Sequence, residues 1–265
     1  MTNIVVSGLS IYPVKSCREV KQNSAWLEDF GLKNDRRWMV VDEMGVMLTQ
    51  RKLTKMCLIQ PEITDTGLML ATSSMDSLHV ELPLANKKSN VKVWDDQCQA
   101  YDAGDDAANW LSQFLSIKCR LVYFPEDEFR QVDLDYANEG DKTAFSDGFP
   151  LLLISQASLD DLNQRLATPI KMSRFRPNIV VSGCEPYAED AWKKIRVGEI
   201  SCRIVKPCSR CVIPSINIET AEREVEPTKT LVGYRKRDNK IFFGQNIIAD
   251  NNGQVDLGMP VEIIE

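Results

Sequence analysis

The chain has 265 residues, 43% of them hydrophobic, with 38 acidic against 32 basic side chains and a formal net charge of −6. That length buries at least one full core and suffices for one large or two small domains, of which two are expected. The acidic balance excludes a chain whose main work is holding nucleic acid phosphates, since that calls for a clustered excess of Lys and Arg.

The first element is a strand, Ile4 to Tyr12, because its apolar run is interrupted by Ser7, Gly8 and Ser10 and then meets Pro13 and Lys15. The same interruptions argue against a secretory signal. Short segments rich in β-branched and aromatic residues follow at Arg37 to Val41, Leu68 to Ala71, Leu78 to Leu82, Val91 to Val93 and Lys118 to Phe124, separated by turn-formers. Two segments have helical spacing instead. Ala107, Trp110, Leu111, Phe114 and Leu115 share one face of a helix that begins near Asp105. Leu159, Leu162 and Leu166 do the same in a helix that begins near Ser155 or Ser158. Between them, Pro125 to Lys142 is acidic without apolar periodicity and reads as a solvated connection. The strand pattern returns after Ile179, through Ile195 to Val205, Leu231 to Tyr234 and Lys240 to Ile248. Turns at Asp238 and Asn239 and at Asn251 to Gly253 suggest an antiparallel meander at the carboxyl end.

The expected fold class is therefore mainly β (α+β), a barrel or sandwich with a few packing helices. Its expected divisions are residues 1–124, a connection at 125–142, and residues 143–265. No stretch approaches the roughly 20 apolar residues that cross a bilayer. A soluble, cytoplasmic protein with no membrane and no nucleic acid partner is expected.

Of eight cysteines, Cys17, Cys57, Cys98, Cys119, Cys184 and Cys202 are scattered singly and read as reduced thiols. The one histidine, His79, lies in a strand pattern, so neither a His-rich metal site nor a Ser-His-Asp triad can be assembled. Cys208 and Cys211 form a close pair in Lys206-Pro-Cys-Ser-Arg-Cys211, where Lys206 and Arg210 favour thiolate over thiol. Three chemistries compete for that pair. A redox dithiol usually opens a helix, but Val212, Ile213 and Pro214 follow here. A structural zinc site needs four ligands, and a single pair supplies two. One thiolate that binds the metal of a cofactor needs only one cysteine.

Three further clusters suit an anion or a polar heterocycle. Tyr12-Pro-Val-Lys-Ser16 ends a strand with a cation and a hydroxyl, Asn34-Asp-Arg-Arg-Trp38 adds two guanidiniums, and Phe175-Arg-Pro-Asn178 sets a guanidinium two residues from an amide. Taken singly, each is weak, since Lys15, Arg36, Arg37 and Arg176 are of types more often exposed or ion-paired.

Taken in order, YPVKS, DRRW, FSDGFP before LLLISQASLDDLNQRL, FRPNIVVSG, KPCSRC and FFGQNIIA resemble the MOSC family over nearly the whole chain. The branch is that of the amidoxime-reducing components and the bacterial YcbX proteins. The resemblance implies an N-terminal β-barrel domain followed by a MOSC β-barrel domain, with a molybdenum cofactor (Mo-molybdopterin) between them. It implies Cys211 as the metal ligand, Lys15, Ser16 and Arg36 at the cofactor phosphate, and Arg176, Ser209, Arg210 and the loop Asp147, Gly148 and Phe149 at the pterin. Asn178, Asp147 and Asn246 are placed near the metal or cofactor, Asn178 and Asp147 with a catalytic part beside Cys211.

The implied activity is reduction of N-hydroxylated bases and amidoximes by oxygen-atom transfer to molybdenum. Gly148 and Phe149 stand where the mitochondrial proteins of this branch carry Thr and Ser, and Asn246 where they carry Tyr, so the substrate pocket departs from theirs. YcbX-type proteins often continue into a ferredoxin domain, whereas this sequence has no C-x4-C-x2-C spacing and no Gly-x-Gly-x-x-Gly motif. A separate electron donor is therefore expected, a flavoprotein reductase working with a ferredoxin-like or cytochrome carrier. Two rivals follow from the same family. One is a sulfur carrier with a persulfide on Cys211, as in MOSC domains fused to sulfurases, which attaches pyridoxal phosphate binding at the family level only. The other is a protein that carries the cofactor without turnover.

Overall fold

A computed structural model describes residues 3–84 and 87–265. Its largest sheet has nine strands. From one edge it runs Val261–Ile263, Lys194–Val197, Ile200–Arg210, Lys240–Ala249, Leu151–Ser155, Ile179–Ser182, Val5–Ile11 and Val20–Gln22, with Lys236–Arg237 paired to Lys240–Ala249 as a hairpin. One pairing is parallel, Leu151–Ser155 with Ile179–Ser182. A parallel pair needs a crossover, supplied here by helix α2 (Gln156–Arg165), whose start is capped by Ser155 accepting from the Ser158 amide.

The second unit joins Trp38–Val41, Arg120–Tyr123, Asp96–Asp102 and Lys88–Val93 in one sheet, and Gln60–Thr64, Gly67–Thr72 and Met75–Glu81 in another. Helix α1 (Asp105–Leu115) packs Trp110, Leu111 and Leu115 onto it, as the spacing predicts, and its Asp105 and Asp106 favour the positive end of the helix dipole. The mainly β fold with few helices is the one expected.

Two local expectations fail for identifiable reasons. Leu231 to Tyr234 lies in helix α3 (Thr228–Arg235), not in a strand. Four residues are too short to show a period, and Leu231 alone of them is buried. The carboxyl end is not a meander, since Gly253–Asp256 pairs with Ser24–Glu28 and Val261–Ile263 with Lys194–Val197. The burial of Val255 and Val261 among Leu9, Leu27 and Ile195 rewards those distant partners. The acidic stretch is largely exposed, in keeping with a solvated connection, but it is tied to the fold. Arg130 is buried there and donates to Ala144 O at 2.8 Å and Ser146 O at 2.7 Å, while Glu126, Asp127 and Asp141 pair with Arg37, Lys88 and Arg203.

The strands also cross the sequence division expected at 125–142. Val5–Ile11 pairs with Ile179–Ser182, so Ile4, Val6, Leu9 and Ile11 join the core of the carboxyl-terminal half. In exchange Ala144 and Phe145 join Met39, Val122 and Phe124 in the other unit. The chain thus passes between units at residues 12–38 and 124–150, and these passages bring the sequence clusters together. Gly244, at φ +80, permits one more close approach, for a Cβ there would lie 2.6 Å from Ile154 Cγ1. The contact turns Gln245 and Asn246 along the strand that faces Leu151–Ser155.

Candidate active site

A cleft of about 290 Å³ opens where the two units meet. Every residue expected at the site lines it: Lys15, Ser16, Arg36, Asp147, Gly148, Phe149, Arg176, Asn178, Ser209, Arg210, Cys211 and Asn246. Ser16, Arg36 and Arg176 adopt left-handed backbone conformations, at φ 72, 49 and 59. For non-glycine residues such positions cost about 1–3 kcal/mol each and cluster at functional sites.

Tyr12 anchors the floor. It is fully buried, and the Arg36 and Arg176 guanidiniums lie 4.3 and 4.1 Å from its ring centroid. Arg36 donates to Asn178 Oδ1 at 3.0 Å and to Arg176 O at 3.2 Å, and pairs with buried Asp35. Arg37 turns away, donating to Phe124 O at 2.9 Å. Arg176 donates to Cys17 O at 2.6 Å but has no carboxylate partner among the described residues. Burial, reinforced by the neighbouring Arg36 charge, lowers its pKa to about 10.

Asn178 lines the cleft and is also held by the fold. It is buried, its Oδ1 accepts from Arg36 and from the Leu152 amide at 3.2 Å, and its Nδ2 donates to Ser10 O at 3.2 Å. Those bonds make it a brace for Arg36, with one amide hydrogen still uncommitted.

Across the cleft, Asp147 gathers cations. Its Oδ1 accepts from Lys15 Nζ and its Oδ2 from Arg51, both at 2.6 Å. Its side chain is half exposed, and although the partial loss of solvent in the cleft works against its charge, Lys15 and Arg51 prevail and hold the carboxyl well below the usual range. Lys15 itself is buried and also donates to Phe145 O at 2.7 Å.

The cysteine pair sits at the mouth. The strand Ile200–Arg210 runs through Cys208, and a short 3-10 turn, Ile213–Ser215, follows, so no helix opens at the pair as a dithiol motif requires. Cys208 is half-buried and accepts from Arg210 at 3.0 Å, while Cys211 is exposed. The cations expected to flank the metal ligand are arranged otherwise. Lys206 Nζ lies 3.7 Å from the Tyr136 ring centroid, and Arg210 serves Cys208 and Phe175 O. Arg51, which the sequence reading missed, faces Cys211. It stands in the unremarkable run Thr49-Gln-Arg-Lys, with no other cleft residue between Arg36 and Ser146.

Residues 3–118 match the MOSC N-terminal beta barrel domain and residues 140–262 match the MOSC domain. The mitochondrial amidoxime-reducing component 1 of Mus musculus is 35% identical over 280 residues, covering 98% of this chain and 82% of that protein. Its Homo sapiens counterpart matches to the same extent. The chain belongs to the amidoxime-reducing branch of the MOSC family. A molybdenum cofactor sulfurase 2 of Culex quinquefasciatus is 32% identical over 97% of this chain, but the match covers only 36% of that larger protein. Neither matched domain carries pyridoxal phosphate in its description.

These matches correct one expectation. The cytoplasmic location rested on the absence of a secretory signal, which a mitochondrial address does not require. The amidoxime-reducing relatives, matched over 97–98% of the chain, are named as mitochondrial components.

The cleft suits the molybdenum cofactor of this MOSC branch. Among the described residues no group of three or more His, Cys, Asp or Glu side chains could hold a bare ion, so a metal here must bring most of its ligands with it. Among the described residues Arg210 Nε is buried with no partner, and the half-buried Arg176 has no carboxylate partner. Both are donors suited to an anionic heterocycle.

Lys15 supplies a test that needs no turnover. Burial lowers its pKa to about 8, although Asp147 works in the opposite direction. An anion binds best to the charged amine, so affinity is full below that pH and falls as pH rises through it. With the cofactor-free protein and sulfate as probe, affinity should fall by up to roughly tenfold per pH unit above about pH 8. Lys15→Met should abolish the slope; a wild-type profile that stays flat would remove Lys15 from the anion site.

Proposed function

We propose that this chain reduces N-hydroxylated compounds with the molybdenum cofactor, drawing electrons from a separate donor protein. The observation that carries this reading is a single exposed thiol, Cys211, at a cleft whose Arg176 and Arg210 have no carboxylate partner among the described residues. It occurs in a chain 35% identical, across 98% of its length, to proteins named for amidoxime reduction.

When bound, the cofactor supplies two-electron oxygen-atom transfer. The rest falls to the side chains. Cys211 ligates the metal; Lys15, Ser16 and Arg36 take the phosphate; Arg176, Ser209 and Arg210 hold the pterin, all of them lining one cleft. Asn178 keeps Arg36 in place, and Asp147 keeps Lys15 and Arg51 in place. Phe149 and Asn246 flank the space left for substrate. Overall, an amidoxime takes up two electrons and two protons and leaves as amidine and water.

Protein made in a host that synthesises the cofactor should contain molybdenum and pterin. It should be inert with NADH alone and reduce an amidoxime when given a low-potential artificial donor or a flavoprotein reductase with a ferredoxin-like or cytochrome carrier. Absence of both molybdenum and pterin would remove the enzyme reading. Full occupancy with no turnover from any donor would leave a cofactor carrier.

A further inference from the structure

Three side chains from distant parts of the fold converge on Asp147 beside Cys211. Arg51 comes from the loop after Trp38–Val41, and Trp94 from the turn between Lys88–Val93 and Asp96–Asp102. The Arg51 guanidinium lies 4.6 Å from the Trp94 ring centroid, and Trp94 Nε1 donates to Asp147 Oδ1 at 3.2 Å. Lys15 holds the same carboxylate from the interior. Trp94 has a left-handed backbone, φ 56, rare for a bulky residue, and leaves its indole exposed. Such an arrangement fixes the Arg51 guanidinium from its edge and from its face.

Where this clamp sits decides what it can touch. The side chains of Lys15 and Arg36 are only 6% and 13% exposed, Arg176 is tied to Cys17 O, and Arg210 is tied to Cys208 and Phe175. Arg51 and Asp147 lie on the open side, at 20% and 52%, with exposed Cys211 facing the guanidinium. A small molecule bound at Cys211 would lie within reach of this cation. Arg51 has five N–H donors, and Asp147 fixes only part of the fork.

We propose that Arg51 is the substrate-orienting residue of the reaction, donating from its clamped guanidinium to the oxygen of the bound N-hydroxylated compound. This rests on the reductase reading above. A fixed cation at that oxygen selects the N-hydroxylated compound over its reduced product, which lacks the atom. It also stabilises negative charge that develops on oxygen as the N–O bond breaks.

The test uses the cofactor-loaded, oxidised enzyme without an electron source, so that binding is measured without turnover, comparing an amidoxime with its amidine. In Arg51→Gln, amidoxime affinity should fall about tenfold or more while amidine affinity changes little. Molybdenum and pterin content should stay within about twofold of wild type, and kcat/KM with an artificial donor should fall at least as far as the affinity. Arg51→Lys should recover part of the loss, and Trp94→Leu, which frees the guanidinium's face, should give a smaller loss of the same kind. Equal weakening of amidoxime and amidine would make Arg51 merely structural and overturn the proposal. Lost molybdenum with unchanged affinity in the loaded fraction would assign Arg51 to the cofactor instead. If wild type is fully loaded yet reduces no N-hydroxylated compound with any donor, the reductase reading fails; if wild type turns over and Arg51→Gln matches it, the Arg51 assignment alone fails.

Discussion

Cys211→Ser should abolish reduction of N-hydroxylated compounds, lowering kcat by roughly a thousandfold or more, while the protein stays folded. A hydroxyl is nearly isosteric with a thiol but is a poor ligand for a soft metal. The fold should tolerate the change because Cys211 is exposed, beyond the end of the strand Ile200–Arg210 and outside every core cluster. Surface changes of this kind usually stay within about 0.5 kcal/mol. Cys208→Ser should keep activity within about tenfold, since a serine oxygen can still accept the hydrogen bond that Arg210 gives to Cys208 Sγ at 3.0 Å. Turnover per bound molybdenum, metal content and thermal midpoint separate the two. Equal collapse of turnover in both variants would point to a dithiol mechanism and sink the one-ligand assignment.

The cleft was legible where function is written locally, and illegible where it depends on long-range approach. YPVKS, FRPN and KPCSRC each concentrate donors within a few residues, and every expected site residue lines one cavity. Arg51 carries no such signature. Its meaning comes from Asp147, 96 residues away, and from the Trp94 ring. The fold divides the same way. Alternation found Val5–Ile11, and helical spacing found α1 and α2, because in each mainly one face is buried; Lys240–Ala249, buried on both faces, was found by its β-branched and aromatic content. Strand partners were beyond it. Pairing Ser24–Glu28 with Gly253–Asp256 depends on cores assembled across the whole chain, which no local pattern encodes.

Arg176→Gln should lose the cofactor and stabilise the empty protein at once. Arg176 is a half-buried guanidinium with no carboxylate partner among the described residues, against the same tyrosine ring as Arg36. Its pKa, lowered to about 10 by burial and then by Arg36, records how far the fold disfavours that charge. The sign follows from linkage. A cation whose folded pKa is lowered destabilises the fold while it is protonated, and that penalty is fully present below about pH 10. A neutral amide removes the penalty at neutral pH and retains a donor for Cys17 O, the acceptor that Arg176 now uses at 2.6 Å. Each kcal/mol gained raises the thermal midpoint of a chain of this size by roughly 2–4 °C. An anionic cofactor reverses the balance, because it supplies the missing counter-charge, so deleting the guanidinium should weaken binding about tenfold to a hundredfold. Molybdenum and pterin per chain should therefore fall in protein from a cofactor-synthesising host. The midpoint should rise in protein from a host that makes none. A lowered midpoint with unchanged cofactor content would show that Arg176 serves the fold and not the anion, whereas the opposed changes are what a binding site held in tension until its ligand arrives must give.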